Sequence, residues 1–253
     1  QLQEYPSERH LDHLLRASQP GERDYFGSYR PGGVPIPPQR IDAGILTNYH
    51  EKRDHPAEEG TTRLGIHLRF GTVSIRKVTA AALAYSGTFL NELIWRNFYM
   101  DILWHFPHVE KRSFNPAYDH IQWINREKDF VRWCEGTTGY PMVDAGMRQL
   151  NETGYMHNRV RMIVASFLCK HLLIDWRWGE AYFSGKLLDY ELASNNGGWQ
   201  WASGSGCDAA PYFRIFNPVL QQRKFDPGET YIRKWVPEYG TAKYPKPIVD
   251  HRL

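Results

Sequence analysis

The sequence DYELASNNGGWQWASGSGCDAAPYFRIFNP, residues 189–218, decides the fold. It pairs Asn195 with Asn196 and Gly197 with Gly198, and sets Trp199 and Trp201 two positions apart. The carboxylates Asp189 and Glu191 stand at its head. Glycine lets a flat ligand or another backbone approach closely, and asparagine carries a donor and an acceptor on a short stem. If the stretch is helical, Trp199 and Trp201 point nearly opposite ways, while Asn195, four residues before Trp199, shares its face. The spacing therefore predicts one indole turned inward and one outward across a shared polar site. Trp beside Gly also serves plain packing, and an NNGG run also serves as a loop. These residues suggest a seat for something planar and polar without naming it.

The rest of the chain bounds the answer. Its 253 residues, 42% hydrophobic and 23% charged, are enough to bury a substantial core. The aromatic share is 14% with nine Trp, which suits stacking on flat rings as well as core filling. A net charge of +3 is too small to argue for a polyanion partner, so any case for DNA rests on local clustering. Cys134, Cys169 and Cys207 form no CxxC and the His residues lack ligand spacing, so reduced thiols in a cytoplasmic compartment are expected, and no metal. No apolar run reaches the length of a membrane span. The chain begins with Gln1 and is expected to be an excised piece. GxGxxG after a strand, GK[ST], GxSxG and HExxH are all absent.

In chain order, residues 1–40 are Pro/Gly-rich, with a short helical stretch after Ser7, and are expected to be a linker. Ile41, Ile45 and Tyr49 recur every four residues, predicting one helix with Tyr49 and Arg53 near its end. In GTTRLGIHLRFGTVS (60–74), Leu64, Ile66, Leu68 and Phe70 alternate as in a strand, yet the Thr, Gly and Arg content before a Ser74-capped helix equally suits a phosphate-holding loop. From Ser86 to Pro107 a long helix is expected, with Leu90, Leu93, Ile94 and Phe98 as its apolar stripe. Glu92, Trp95, Arg96 and Tyr99 then align on the opposite side. Shorter helices are expected to close at Gly136, to run from Pro141 to Gly154, and to span 156–175, 179–188 and 228–236. In the 156–175 helix Val160, Ile163, Val164, Phe167 and His171 make the apolar face, with Asn158, Arg161 and Met162 on the other. Gln221 to Lys224 form a small basic–polar patch. No βαβ alternation occurs, so the predicted class is all-α.

NELIWRNFY (91–99), TGYPMVDAGMRQLNETGYMHNRVRM (138–162) and the opening stretch resemble the flavin-binding helical domain of photolyases and cryptochromes, most nearly the bacterial enzymes that repair cyclobutane pyrimidine dimers. The resemblance runs from about Asn48 to the C-terminus. It implies FAD held in an all-α domain over 41–253 and light-driven electron transfer to a dimer flipped out of DNA. It further implies that Tyr49 and Thr61, Thr62, Arg63, Leu64 and Gly65 match the flavin phosphate stretch, with Gly65 where relatives often have Ser. Arg161 and Asp189 match an ion pair beside the isoalloxazine, with Tyr190 and Glu191 nearby, and Asn195 matches the residue facing flavin N5. Phe89 stands where some relatives have Trp. Trp199, Trp176 and Trp123 match three tryptophans that pass electrons inward. Glu92, Trp95, Asn158, Arg159, Met162 and Trp201 match the dimer pocket, to which the α-helical face adds Arg96 and Tyr99; Arg53 and Gln221 match DNA contacts.

Nothing in the chain corresponds to the α/β domain that holds an antenna chromophore in the family, so no antenna is expected. The expected partner is damaged DNA, with the protein a monomer of a bacterial cytoplasm. Two other activities stay open: a cryptochrome-like photoreceptor without repair, and repair of (6-4) photoproducts. Asn195 favours dimer repair over signalling. The (6-4) chemistry uses a paired His motif in relatives, and here the matching place reads Met156-His157-Asn158.

Overall fold

The computed structural model describes residues 36–207 and 215–250. Nearly all of the expected linker, including its short helix, falls outside them. Among the described residues every regular element is helical and there is no strand.

Two helical layers meet at α5. The first holds α1 (Ala43–Thr47), α2 (Tyr49–Lys52), α3 (Gly65–Arg69), α4 (Ile75–Tyr85) and α5 (Gly87–His105). Leu46, Tyr49, Leu64, Val78, Ala82 and Phe89 form its small core. The second holds α6 (Glu127–Glu135), α7 (Pro141–Thr153), α8 (Asn158–Lys170), α9 (Trp176–Ser184), α10 (Leu192–Ser203), α11 (Pro218–Phe225) and α12 (Thr230–Trp235). Its larger core gathers around Trp133, Leu150, Val164, Phe167, Trp176 and Trp199.

Helix boundaries follow local chemistry where strong signals exist. Ser86 caps α5 by accepting from the Phe89 N–H, Pro141 opens α7, and left-handed Gly136 and Gly154 close α6 and α7. Val160, Ile163, Val164 and Phe167 are all buried, and half-buried His171 stacks on Phe167 at 4.9 Å.

Several expectations are corrected. The single helix over 41–53 is two short ones, broken at Asn48, and Leu46 rather than Ile45 is fully buried. The strand-like alternation over 64–70 belongs to α3: Leu64 is buried but Phe70 is 68% exposed, because side chains two apart on a helix do not share a face. Ser74 precedes α4 without capping it through its side chain. Of the predicted stripe of α5, Leu90 and Leu93 pack half-buried against the small core, but Ile94 is 56% exposed and Phe89 is the fully buried residue. The 156–175 helix ends at Lys170. The 179–188 helix instead runs from Trp176 to Ser184, with Gly179 inside it because a Cβ there would stand 2.1 Å from the Trp199 ring. Gln221–Lys224 lie within α11, a helix the pattern did not signal.

Candidate functional site

Helices α8 and α10 and the 189–191 link line an open cleft. Its walls carry Asn158, Arg161 and Met162 from α8, Asp189 to Glu191, and Ser194, Asn195, Gly198 and Trp199 from α10. The lining mixes these polar groups with apolar Met162, Ala165, Phe183 and Leu187. A flat ring with a hydrogen-bonding edge suits that mixture.

The polar edge is fixed in place. Arg161 Nη2 donates to both Asp189 oxygens at 3.0 and 2.9 Å, and its Nε donates to the Met156 carbonyl at 2.7 Å. Glu191 caps α10, accepting from the Ala193 and Ser194 N–H groups at 2.9 and 3.0 Å, so its carboxylate is already committed. The Tyr190 hydroxyl is pushed up to about 12, first by burial and then by the charge of Glu180. Asn195 Nδ2 donates to Glu180 Oε1 at 2.9 Å.

The two adjacent glycines of α10 differ in kind. A Cβ on Gly197 would stand 2.1 Å from the Tyr99 ring, so this glycine lets α5 press against α10. A Cβ on Gly198 would meet no atom within 4 Å, and Gly198 lines the cleft. A glycine in a helix interior costs about 0.5–1 kcal/mol relative to alanine. At Gly198 no protein contact recovers that cost, so the open space above it fits a ligand lying against the helix.

The segment 53–69 of the first layer reaches the 189–190 link. A Cβ on Gly65 would stand 2.9 Å from Asp189 Oδ2, so a side chain here would require that carboxylate to shift. Arg69 Nε donates to the Tyr190 carbonyl at 2.7 Å. Thr61 Oγ1 lies 3.4 Å from the Tyr155 hydroxyl, and the Arg63 guanidinium sits 5.0 Å from the Tyr155 ring centre. Arg63 has φ of 51°, a left-handed conformation that costs a non-glycine residue energy, between half-buried Thr62 and buried Leu64.

A second group lies along α2 and α5. Tyr49 packs edge-on against Phe89 at 5.1 Å and beneath the Arg53 guanidinium at 5.5 Å. Arg53 Nη1 donates to Glu92 Oε1 at 2.6 Å. Arg159 Nη2 donates to Asp54 Oδ1 at 2.8 Å, its guanidinium 4.5 Å from the Phe225 ring centre and its Nη1 3.7 Å from Met162 Sδ. Trp95, 43% exposed, packs with Phe98 and Tyr99, and Arg96 is half-buried beside it in sequence. Trp201 lines a separate hollow with Tyr99 and Gly197, on the opposite side of α10 from the cleft. Gln221 is half-buried on α11.

The tryptophans occupy one core. Trp199 and Trp176 are buried in it and Trp123 packs against it. Trp133, which the sequence reading passed over, meets Trp199 edge-on at 6.0 Å. Glu180, Asp54 and Tyr155 leave no local signal, because each joins the site across the fold. His157 caps α8 by accepting from the Arg159 N–H at 3.1 Å, and its buried Nε2 has no partner among the described residues. Its pKa is lowered to about 4, chiefly by burial and then by the Arg161 charge.

Comparison with known proteins gives this arrangement a family. The family described as the FAD binding domain of DNA photolyase matches residues 89–247. The chain belongs to this photolyase family. A deoxyribodipyrimidine photo-lyase of Vibrio cholerae is 47% identical over 234 residues, which cover 82% of this chain and 50% of that protein. The crystal structure of a bacterial class III photolyase from Agrobacterium tumefaciens superposes with a TM-score of 0.78 at 45% identity, over 82% of this chain and 50% of that one. A Synechocystis cryptochrome superposes with a TM-score of 0.75 at 33% identity, over 82% and 50% of the two chains. The chain thus spans about half the length of the photolyases it matches. Among the described residues no group of His, Cys, Asp and Glu is arranged to hold a metal ion, and no helix is long and apolar enough to cross a membrane.

Proposed function

We propose that this chain is the FAD- and DNA-binding catalytic domain of an enzyme that repairs cyclobutane pyrimidine dimers under blue light, with bound reduced FAD supplying the electron that opens the dimer and receiving it back. The observation that carries the reading is the cleft above Gly198, open where the helix gains nothing from a glycine and edged by Arg161, Asp189 and Asn195.

Each side chain then has a task. The Arg161–Asp189 pair presents a donor and an acceptor to the polar edge of the ring, and Phe183, Met162 and Ala165 keep water from its apolar part. Backbone N–H groups of Thr61 to Gly65 would hold the cofactor phosphates, with Gly65 letting that segment lie close to Asp189. Trp199, Trp176 and Trp123 lie in one continuous core and would relay electrons to an oxidised cofactor. On the DNA side, Glu92 would accept from or stabilise charge on the pyrimidines in a water-poor pocket. Trp95 and Trp201 would stack on the flipped pair with Arg96 and Tyr99 at the border, whereas Asn158 and Met162, on the other side of α10, face the flavin cleft instead. A damaged step is easily extruded, and photolyases are a standing example of base-flipping enzymes. Arg53, Arg159 and Gln221 would contact the phosphate backbone, giving salt-sensitive binding with little sequence preference.

His157 is 3% exposed and spends its Nδ1 on a helix cap, which disfavours the (6-4) reading that needs free imidazoles. Cys134 and Cys169 keep their thiols, which supports a reducing compartment. The test is illumination of a thymine-dimer oligonucleotide with the FAD-loaded, pre-reduced protein, followed by chromatography of the products. Restored thymines are expected; intact dimers with full flavin loading would favour a photoreceptor instead.

A further inference from the structure

Trp176 carries a fixed cation on its face. The Arg177 guanidinium sits 4.8 Å from the centre of the Trp176 ring. Its donors are committed: Nη2 to Asp119 Oδ1 at 2.6 Å, Nη1 to Asp175 Oδ1 and Oδ2 at 3.3 and 3.2 Å, and Nε to the Lys111 carbonyl at 2.9 Å. A side chain so held does not swing away into water, and the Trp176 ring beneath it is 1% exposed. The start of α9 also holds the outer tryptophan. The Ile124 N–H donates to the Leu173 carbonyl at 2.8 Å and the Asp175 N–H donates to Asn125 Oδ1 at 2.8 Å. Half-buried Trp123 therefore belongs to a segment fastened to the residues just before Trp176.

A cation over an indole attracts the electron-rich ring of the neutral residue, and repels the positive charge left when that ring gives up an electron. The guanidinium therefore disfavours such a charge at rest on Trp176, whereas water can solvate it at Trp123. We infer that Arg177 is a positioning residue for charge in the tryptophan relay, keeping the electron hole from settling on Trp176 and passing it outward to Trp123. The inference rests on the reading of Trp199, Trp176 and Trp123 as a relay to FAD, and it adds a direction. Electrons balance at each step: Trp176 gives one electron to oxidised Trp199, and Trp123 gives one to oxidised Trp176. Asp119 and Asp175 offset part of the cation's field, so charges of both signs beside the ring can be removed in turn.

The test uses the FAD-loaded chain carrying Trp123→Phe, in which the relay ends at Trp176. After a laser flash the tryptophan radical absorbance decays as the electron comes back to Trp199, so the decay lengthens as the hole favours Trp176. Adding Arg177→Met should lengthen it about tenfold, what solvent screening leaves of the full repulsion at this range. Adding Asp119→Asn should shorten it about threefold, because a negative charge goes while the acceptor for Arg177 and for the Ser113 N–H stays. Each variant should load FAD to the wild-type stoichiometry, read by absorbance. Opposite signs from the two variants are the mark of charge. Shifts of the same sign, or none, would overturn the role of Arg177, make it a clasp for residues 111–119 and leave the FAD reading standing. Should Arg177→Met not fold, Asp119→Asn decides alone, and an unchanged or longer decay refutes the inference. A wild-type chain that takes up no flavin would overturn the FAD reading itself, and the relay with it.

Discussion

Alanine at Gly198 should raise the stability of the flavin-free protein and lower its affinity for flavin, two effects of opposite sign from one methyl group. Gly198 is interior to the twelve-residue α10, and a Cβ there meets no atom within 4 Å. Only the propensity gain remains, about 0.5–1 kcal/mol, or an increase of about 1–4 °C in Tm for a domain of this size. The same methyl would project into the cleft, where overpacking against a rigid ring costs about 1–3 kcal/mol, weakening FAD by roughly 5- to 150-fold. Gly197→Ala is the control: its Cβ would stand 2.1 Å from the Tyr99 ring, and the α5–α10 contact must give way. Overpacking there costs about 1–3 kcal/mol and outweighs the propensity gain, so Tm should fall with or without flavin. The assay is thermal unfolding of both variants in each state, with FAD affinity from flavin fluorescence quenching. Wild-type affinity in Gly198→Ala would refute the cleft as the flavin seat, and a lower Tm for flavin-free Gly198→Ala would refute the open space itself.

Acid should destabilise the chain through His157. Its folded pKa is lowered to about 4 from an unfolded 6.5, so the unfolded state binds the extra proton and the stability contribution, full above pH 6.5, is lost as pH falls toward 4. The full shift is worth about 3 kcal/mol, and urea midpoints at pH 7.5 and 5.0 should converge in a His157→Gln variant. Trp199→Phe should block photoreduction of oxidised flavin while sparing repair by pre-reduced protein; equal loss of both activities, measured by absorption and product analysis, would make Trp199 merely structural. Asp54→Asn frees Arg159 from an ion pair at 2.8 Å with side chains 18% and 36% exposed. It should tighten binding to dimer-containing DNA about two- to fivefold by fluorescence anisotropy, the worth of a surface pair.

The sequence revealed those parts of the fold that chemistry marks locally. Pro141 and Gly154 bracket α7, Ser86 starts α5, and the four-residue recurrence of Val160, Ile163, Val164 and Phe167 gives α8 and its buried face. Reading failed where elements are too short to show a period. Leu64, Ile66, Leu68 and Phe70, across the five-residue α3 and its two flanking caps, look like a strand, and polar Gln221-Gln222-Arg223-Lys224 hide α11. The stripe of α5 misled because α5 is packed from several sides, by Phe89 toward Tyr49 and by Tyr99 toward Gly197, rather than along one line. In the site, Arg161, Asp189, Asn195, Asn158 and Met162 are gathered about one cleft. The partners that hold them come from afar: Glu180 is 15 residues from Asn195 and Asp54 is 105 from Arg159, and neither leaves a local pattern.

The ion pairs along the second group bear on how such a domain would meet DNA. Both arginines assigned to phosphates already hold a carboxylate, Arg53 with Glu92 at 2.6 Å and Arg159 with Asp54 at 2.8 Å. A phosphate arriving at either one therefore exchanges one anion for another, and the gain is the difference between two pairs rather than the worth of a new one. For Arg159 the released Asp54 is 36% exposed and returns to water at little cost. For Arg53 the released carboxylate is Glu92, assigned to the dimer. A phosphate on Arg53 would free Glu92 to turn toward a pyrimidine, and without DNA the pair keeps both groups from standing charged and alone in a half-buried corner. On this account Arg53→Ala would weaken DNA binding by more than one lost phosphate contact, because Glu92 would stand unpaired before the substrate arrived and would repel the backbone as it approached.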